Sequence, residues 1–283
     1  MLDDNTRLKS RKHRLRGLKT KPCKPDTFIL VLLPTLTPPY LYYICPLSNI
    51  LDTLQQSIID VIIPAYNEEQ SIGKVIHDIP KELVRNIIVC NNNSSDNTAE
   101  IARSSGAIVV DQPIPGYGNA CLAGMKYVAD LGADPDIVVF LDGDYSDYPE
   151  QIIDLIDPIV NRGYELIIGS RALGAMERGA MMPQQIFGNW LATSLIRLIY
   201  KYKFTDLGPF RAIRYDRLME IDMKDKTFGW TVEMQVKAAK LRLKCLEVPV
   251  KYRVRIGVSK VSGTIKGTIL AGHKILWTIF KLI

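Results

Sequence analysis

The amino-acid sequence predicts an α/β fold, a mostly parallel doubly wound sheet with flanking helices. Short apolar runs rich in Ile and Val alternate along the chain with longer amphipathic stretches, which is the order of strands and helices in such folds. Polar and acidic residues directly follow several of these runs, where open α/β sheets place their ligands. The 283 residues are enough for one large domain with appendages.

Five apolar runs are predicted to be buried strands, because they are short and rich in β-branched residues. Their ranges are 58–64, 86–90, 107–111, 137–141 and 165–168. The predicted helices are 71–77, 98–105, 119–131, one that begins near Pro149, 187–202 and one around 234–241. Helix 187–202 is strongly apolar with basic residues towards its end, which is compatible with either a core helix or one that lies on a membrane surface.

An acidic motif directly follows the fourth predicted strand. Asp142, Gly143 and Asp144 stand at its carboxyl end, and the glycine places no side chain between the two carboxylates. Two hard oxygen ligands at such a position suit Mg²⁺ or Mn²⁺, which usually shares its coordination shell with phosphate oxygens. The structural alternative is an acidic turn that caps the helix beginning near Pro149.

Charge and cysteine content exclude several classes of protein. The net charge of +6 is carried entirely by residues 1–26, and the rest of the chain is formally neutral, so a nucleic-acid-binding fold is not indicated. The five cysteines show no CxxC spacing. We therefore expect neither a zinc site nor a disulfide framework, as in a protein of a reducing compartment.

The N-terminal region, residues 1–56, is predicted to lie outside the main domain, which begins near Ser57. Residues 1–26 are rich in Lys and Arg and are predicted to form a basic, disordered arm. Residues 27–51 carry no charge and are long enough to span a bilayer, but their four prolines disfavour a regular helix. A membrane anchor or interfacial segment, a signal-like sequence and a non-functional extension all remain open. The main domain is predicted to cover 57–258, and 259–283 to be an apolar tail at a membrane surface.

Seven sequence motifs occur in an order that resembles family 2 glycosyltransferases with a GT-A fold. The most similar group contains the dolichyl-phosphate mannose and glucose synthases. The motifs span 58 to about 270 and read VIIPAYNEEQSI, IIVCNNNSSDNT, GYGNACLAGM, VVFLDGDYSDYPEQ, GSRALG, FTDLGPFRAI and VRIGVSKVSGTIKG. Each motif alone is weak, whereas the combination is specific.

The resemblance implies a nucleotide-sugar site. The implied residues are Pro64, Ala65, Tyr66, Glu68, Asn91, Gly118, Asp142, Gly143 and Asp144. Tyr66 would stack near the base, and Asp142 and Asp144 would hold the metal, Mg²⁺ or Mn²⁺, on the donor diphosphate. The family usually carries paired aspartates where this chain has Asn91 and Asn92, and often a glutamine where it has Ser146. An asparagine amide can still hydrogen-bond a base edge.

The resemblance also implies a second group of functional residues. Arg171 would bind phosphate, for which a surface salt bridge is the alternative. Arg253, Arg255, Ser259 and Lys260 would form an anion clamp, and Asp206 and Arg211 match a turn near the active site. Glu233 stands where members that act on hydroxyl groups carry a catalytic carboxylate, with a helix-stabilising role as the alternative.

The expected function is inverting transfer from a nucleotide sugar, of the UDP-glucose or GDP-mannose type, to a polyprenyl phosphate at the cytoplasmic face of a membrane. A glycosyltransferase that acts on a sugar hydroxyl is the main alternative, and a pseudoenzyme that binds a nucleotide sugar is another. A nucleotidyltransferase is disfavoured, because no Gly-rich phosphate loop with a lysine follows the first strand. No nucleic-acid partner is expected, and the sequence does not indicate an oligomeric state.

Overall fold

A computed structural model of the chain describes residue 54 and residues 56–257 and 265–283. The basic arm, the Pro-rich segment, Ser259 and Lys260 lie outside these residues. The strands are β1 (Ile59–Ala65), β2 (Asn86–Asn91), β3 (Ile108–Asp111), β4 (Ile137–Phe140), β5 (Leu166–Ser170), β6 (Arg211–Arg214) and β7 (Cys245–Pro249). The helices are α1 (Ile72–Asp78), α2 (Thr98–Ser104), α3 (Tyr117–Asp130), α4 (Ile152–Arg162), α5 (Pro183–Tyr200), α6 (Tyr215–Ile221), α7 (Trp230–Lys240) and α8 (Ile265–Lys281).

The strands form one sheet in the order β3-β2-β1-β4-β6-β5-β7. Strand β6 runs antiparallel to both of its neighbours, and the other pairs are parallel. The predicted α/β class with a mostly parallel sheet is therefore confirmed. The five predicted strands are present, but β5 lies one strand away from β4 because the unpredicted β6 separates them.

Two apolar layers enclose the sheet, one on each face. Alternate residues of β1 enter opposite layers: Ile62 packs into one, and Val61 and Ile63 into the other. Helices α3, α5 and α7 cover the first face, whereas α1 and α4 cover the second. Because β1 is buried along its whole length, it reads in the sequence as a continuous apolar run rather than an alternating one.

The core extends beyond the predicted start of the domain. Leu54 is fully buried in the layer that contains α1, and its carbonyl accepts a hydrogen bond from the Ser57 backbone N–H at 3.1 Å. A boundary at Ser57 would remove this side chain. Loss of a buried leucine side chain typically costs about 2–5 kcal/mol, so the domain is better taken to include Leu54.

The C-terminal helix α8 packs against α5 and α7. The Tyr200 hydroxyl donates to the Ile279 carbonyl at 2.5 Å, and Lys274 pairs with Asp225 at 2.8 Å. Helices α5 and α8 nevertheless leave large apolar side chains exposed to solvent. These are Ile186, Phe187, Trp190 and Leu198 on α5, and Ile269, Leu270, Trp277 and Phe280 on α8. None of the helices in residues 56–257 and 265–283 combines the length and the hydropathy required to cross a bilayer.

Candidate functional site

The candidate site lies at the carboxyl ends of β1, β2, β4 and β5, where the predicted ligand residues emerge. Ala65, Asn91 and Asp111 stand opposite one another at the ends of β1, β2 and β3. The acidic motif follows β4, and Arg171 follows β5. The fold therefore brings these particular residues to one edge of the sheet, as expected for a doubly wound sheet.

Asp142 is held by a tyrosine that was not among the predicted site residues. The hydroxyl of Tyr117, in the first turn of α3, donates to Asp142 Oδ1 at 2.9 Å. Burial and the neighbouring charge of Asp144 raise the pKa of Asp142 to about 7, while the Tyr117 hydrogen bond acts in the opposite direction. Tyr117 therefore orients the first carboxylate and favours its charged form.

Asp144 is almost fully buried, and its two oxygens have different partners. Oδ1 accepts hydrogen bonds from the Ser146 backbone N–H at 2.9 Å and from the Ser146 hydroxyl at 2.6 Å. Oδ2 lies 3.1 Å from Arg255 Nη1. Ser146 thus orients a carboxylate in this structure, at the position where the family often carries a glutamine.

The space around Gly143 does not demand a glycine. A Cβ atom there would lie 3.5 Å from the nearest atoms, those of Ala65, Ile72 and Pro64, which is an ordinary contact. The tight turn is made instead by Tyr145, which adopts a left-handed backbone with φ of 63°. A non-glycine residue in that region carries local strain, and here the strain coincides with the loop that presents both aspartates.

The residues present fit a divalent cation that is bound together with a phosphate ligand. No group of three or more His, Cys, Asp or Glu residues within the described ranges could hold a metal by itself. Mg²⁺ and similar ions commonly use one or two carboxylates and complete their shell with water and substrate phosphates. The crowding of Asp142 and Asp144, which raises the pKa of Asp142, is relieved by any cation placed between them. A guanidinium already contacts Asp144.

Arg255 bridges two carboxylates that are far apart in sequence. Its Nη2 donates to Glu68 Oε1 at 2.8 Å, and its Nη1 lies 3.1 Å from Asp144 Oδ2. The segment that carries Arg255 runs along the loop after β4, residues 142–148, which we call the acidic loop. The Arg253 N–H donates to the Ser146 carbonyl at 2.9 Å, and the Ile256 N–H donates to the Asp144 carbonyl at 3.0 Å. Arg255 therefore contacts Asp144, one of the two carboxylates of the candidate metal site.

Arg253 braces the acidic loop. Its Nε donates to the Tyr145 carbonyl at 2.7 Å and its Nη2 to the Asp147 carbonyl at 3.1 Å. The guanidinium carbon lies 3.4 Å from the ring centroid of Tyr145 and 4.1 Å from that of Tyr148. Cation–π contacts of this kind contribute roughly 0.5–2 kcal/mol each. These contacts fix the loop, and a direct phosphate contact by Arg253 stays a prediction.

Arg171 is held by Asp206 in a bidentate pair. Its Nε donates to Oδ2 at 2.8 Å and its Nη2 to Oδ1 at 2.7 Å, and the Arg171 backbone N–H also reaches Oδ2 at 2.7 Å. The Asp206 side chain is 1% exposed and that of Arg171 is 11% exposed. The predicted alternative of a surface salt bridge does not describe this buried pair. The pair with Asp206 uses Nε and Nη2 and does not involve Nη1, and phosphate binding by Arg171 stays a prediction.

Gly208 is required for close packing beside this pair. A Cβ atom at Gly208 would lie 2.7 Å from the Gly169 carbonyl oxygen, closer than real contacts allow. The loop before it is held by Glu247, whose carboxylate accepts the backbone N–H groups of Thr205 and Asp206 at 2.8–3.0 Å. Burial raises the pKa of Glu247, and these hydrogen bonds oppose the shift.

Asp147 is a buried carboxyl group beside the site. Its side-chain oxygens are inaccessible and have no hydrogen-bond partner among the described residues. Burial and the charges of Asp142 and Asp144 hold its pKa well above the usual range, with Arg171 opposing them. Asp147 lies within the motif VVFLDGDYSDYPEQ but was not among the predicted site residues.

The predicted nucleotide residues divide into exposed and structural groups. Pro64 and Ala65 are buried in β1, whereas Tyr66 is 45% exposed and available for stacking. Asn91 donates to Asp111 Oδ1 at 2.8 Å. The Asn92 amide instead braces the loop before α3, since it donates to the Gln112 and Ile114 carbonyls and accepts from the Gly116 N–H.

Gly118 permits close contact between two backbone segments. A Cβ atom there would lie 2.0 Å from the Asp225 carbonyl oxygen, so any side chain would push the 224–227 loop away from the start of α3. The Asn119 backbone N–H donates to the Lys226 carbonyl at 3.0 Å. This explains the glycine structurally, while its predicted contact with the nucleotide stays a prediction.

Glu233 supports the same 224–227 loop. Its carboxylate accepts the backbone N–H groups of Lys224 and Asp225 at 2.6–3.1 Å and pairs with Lys237 at 2.7 Å. The side chain is buried. These contacts favour the structural alternative over the predicted catalytic role, because a base must reach a substrate proton.

Comparison with known proteins was consistent with this arrangement. The model of "Glycosyl transferase family 2" matches residues 60–221. A dolichyl-phosphate hexose transferase of Haloferax volcanii is 32% identical over 71% of this chain and 85% of its own length. An undecaprenyl-phosphate mannosyltransferase of Micrococcus luteus is 30% identical over 73% of this chain and 88% of its own length.

Solved structures share the fold. Glucosyl-3-phosphoglycerate synthase of Mycobacterium tuberculosis, in complex with Mn²⁺, UDP-glucose and phosphoglyceric acid, aligns with a TM-score of 0.67 at 21% identity over 86% of each chain. The family match covers more than half of the sequence. The sheet order and the acidic pair after β4 point to the same family. The chain belongs to glycosyl transferase family 2 and is a glycosyltransferase with a GT-A fold.

Proposed function

We propose that this enzyme transfers a hexose, with inversion, from a nucleotide sugar to a polyprenyl phosphate at the cytoplasmic face of a membrane. One observation carries the proposal. Arg171, the candidate phosphate-binding residue, is connected through hydrogen bonds to helix α5, which has an exposed apolar surface. Asn189 of α5 donates to the Thr205 carbonyl at 3.0 Å and accepts from the Leu207 N–H at 2.8 Å. These bonds fix the loop of Asp206, which holds Arg171.

The apolar surface beside this loop suits a lipid chain. Pro183, Ile186, Phe187 and Trp190 line an open pocket of about 470 Å³ at the start of α5. Phe187 and Trp190 are each 60% exposed, and their rings lie 5.8 Å apart. Exposed apolar patches of this kind mark sites that bind lipid or protein. A lipid phosphate can lie near Arg171 while its chain follows the pocket.

The membrane surface is the second element of the proposal. The exposed apolar side chains of α5 and α8 belong to two helices that contact each other. Arg197, Lys201 and Lys203 are exposed at the end of α5. Apolar and basic side chains together are typical of segments that lie on anionic bilayers. The relatives that act on dolichyl and undecaprenyl phosphates support the same acceptor class.

The donor is proposed to lie across the ends of β1, β2 and β4. Tyr66 would stack near the base and Asn91 would contact its edge. Asp142 and Asp144 would hold Mg²⁺ or Mn²⁺, which when bound neutralises charge on the leaving diphosphate. UDP-glucose and GDP-mannose are the donor types to which we assign the site.

The protein's own contribution to the reaction is positioning and charge stabilisation. An acceptor phosphate oxygen forms a bond to the anomeric carbon from the face opposite the leaving group. The bond between that carbon and the donor's phosphate oxygen breaks, which releases the nucleoside diphosphate. Because the acceptor oxygen is already anionic, no strong base is required. This agrees with the structural contacts of Glu233. Arg171 and Arg255 would stabilise the phosphate charges.

The proposal is tested by product analysis. Purified enzyme is incubated with labelled UDP- and GDP-sugars, with and without polyprenyl phosphate, and products are identified by mass spectrometry. A sugar linked to lipid through an acid-labile phosphodiester is the expected product. An acid-stable glycosidic bond to another sugar, formed without lipid phosphate, would replace the proposal with the hydroxyl-acceptor alternative. Absence of any turnover while nucleotide sugar still binds would support a pseudoenzyme.

A further inference from the structure

Arg255 lies between two carboxylates of the candidate donor site. Its two terminal nitrogens contact Glu68, which follows β1, and Asp144, which follows β4. We propose that Arg255 is a tethered cation that stands in for the metal in the free enzyme and moves to the donor diphosphate when metal and donor bind. This inference rests on the proposed function, since it concerns the same donor site.

Arg255 contacts two carboxylates that are nearly buried. The Glu68 and Asp144 side chains are each 10% exposed, and Arg255 is 26% exposed. Glu68 is fixed in turn, because its backbone N–H donates to Thr98 Oγ1 at 2.7 Å and its Oε2 accepts from the Ser71 hydroxyl at 3.1 Å. An arginine fork can satisfy two carboxylates at once, which a lysine ammonium does less well.

The backbone beside Arg255 is anchored on both sides. The Arg253 side chain lies between two tyrosine rings and bonds two carbonyls of the acidic loop, and the Ile256 N–H donates to the Asp144 carbonyl. The guanidinium is therefore held at Asp144 by a separate segment whose backbone is hydrogen-bonded to the loop that presents Asp144. A change of partner requires rotation of one side chain and no rearrangement of the segment.

The charges around the site explain why the partner must change. Asp142, Asp144 and Asp147 lie near one another, and Arg255 links Glu68 to Asp144. Among the described residues, Arg255 and Arg171 are cations that act on this cluster. A divalent cation on Asp144 would replace the Arg255 contact and repel the guanidinium. A nucleoside diphosphate supplies anionic oxygens that a guanidinium binds in bidentate fashion. Arg255 Nε, which is buried and has no partner among the described residues, adds a further donor.

The proposed role of Arg255 has two consequences that an ordinary salt bridge would not have. Metal alone must displace Arg255 and therefore binds weakly. Metal together with a nucleoside diphosphate gives Arg255 a new partner and binds cooperatively. Where the binding of one ligand changes the affinity for another, the change is typically about 5-fold to 150-fold.

The test measures Mn²⁺ binding directly, by electron paramagnetic resonance of free Mn²⁺, for wild type, Arg255→Met and Arg255→Lys. Without nucleotide, both variants are expected to bind Mn²⁺ at least about fivefold more tightly than wild type. With UDP or GDP added, Arg255→Met is expected to lose most of the cooperativity between metal and nucleotide. Arg162→Ala, an exposed arginine at the far end of α4, serves as the matched control and should bind like wild type.

The following results would overturn the proposed role of Arg255 or the proposed function. Unchanged or weaker Mn²⁺ binding by Arg255→Met, in a variant whose circular dichroism matches wild type, overturns the stand-in role. A gain in Arg255→Met without a gain in Arg255→Lys overturns it as well, because the loss of a nearby charge then explains the effect. Equal cooperativity in wild type and Arg255→Met overturns the transfer to the diphosphate. If wild type binds neither nucleotide with Mn²⁺, the proposed function itself fails.

Discussion

The hydroxyl of Tyr117 and the carboxylate of Asp142 lie 2.9 Å apart and join the first turn of α3 to the end of β4. Tyr117→Phe removes this bond and leaves the ring in place. Groups that orient a metal ligand typically contribute about 10-fold to 100-fold to metal affinity or activity. We expect a loss in that range, measured as Mn²⁺ affinity in the presence of nucleotide and as transfer rate.

A second tyrosine of α3 provides the control for this variant. Tyr127 is partly buried against the same apolar layer, and Tyr127→Phe should leave both quantities unchanged. If Tyr117→Phe binds metal and transfers sugar like wild type, the hydroxyl has no part in orienting Asp142.

Asp144 is expected to be indispensable for transfer. Asp144→Asn keeps the shape of the side chain but removes the charge that faces the cation site, so transfer should fall at least about 100-fold. The fold should be retained, as judged by circular dichroism. Glu150→Gln, an exposed change in the short 3-10 helix that follows the Asp144 loop, should have little effect. Full wild-type activity in excess EDTA would contradict a metal at this site.

The strands around the site could be predicted because a strand that is buried on both faces consists mainly of apolar residues. Strands β1, β2 and β4 have apolar neighbours on both faces and consist mainly of Ile, Val and Phe. Strand β6 has an arginine at each end, and Arg211 is fully buried, with its guanidinium bonded to the Leu207, Gly208 and Thr231 carbonyls. An arginine normally indicates a surface, so this strand could not be recognised from composition.

In the site, too, residues marked by a local sequence pattern could be predicted, whereas contacts that depend on the tertiary fold could not. Asp142 and Asp144 could be found because they follow a strand directly. The link between Arg255 and Glu68 joins residues 187 positions apart, and no local pattern encodes it. Tyr117 had one usable signal, a tyrosine between two glycines at the start of a helix. Its partner depends on how α3 packs against β4.

Asp206 should contribute more to stability than an exposed aspartate with similar geometry. Asp206→Ala leaves the buried Arg171 guanidinium without its partner, which typically costs about 3–5 kcal/mol. Asp216 also pairs with an arginine through two bonds, at 2.7 and 3.1 Å, but is 43% exposed. Asp216→Ala should therefore change the free energy of unfolding by about 1 kcal/mol or less. Urea unfolding measures both, and equal losses would contradict this reading of burial.

Glu233→Gln separates the two roles considered for this residue. As a structural residue, Glu233 holds the 224–227 loop, so the variant should lower the free energy of unfolding by about 1–3 kcal/mol. As a catalytic base, it would instead contribute about 10²–10⁴-fold to kcat. We expect lower stability with kcat within a few-fold of wild type, from urea unfolding and steady-state kinetics. A large loss in kcat at unchanged stability would restore Glu233 as a base.

The exposed aromatic side chains of α5 should contribute directly to membrane binding. Burial of an aromatic side chain contributes roughly 1.5–3 kcal/mol, so the double change Phe187→Ser and Trp190→Ser should weaken binding to vesicles at least about tenfold. Co-sedimentation with vesicles of phosphatidylcholine and phosphatidylglycerol measures this. The anionic lipid is included because basic residues stand at the end of the same helix.

The matched control for the membrane prediction is Leu131→Ser, since Leu131 is also exposed but lies just after α3. This variant should sediment with vesicles like wild type, because its side chain is outside the α5 and α8 surface. Transfer to a soluble short-chain polyprenyl phosphate in detergent should be less affected by the double change than transfer to lipid in vesicles. If the double variant binds vesicles like wild type, the exposed aromatic residues of α5 serve another contact and the membrane surface must be sought elsewhere on the protein.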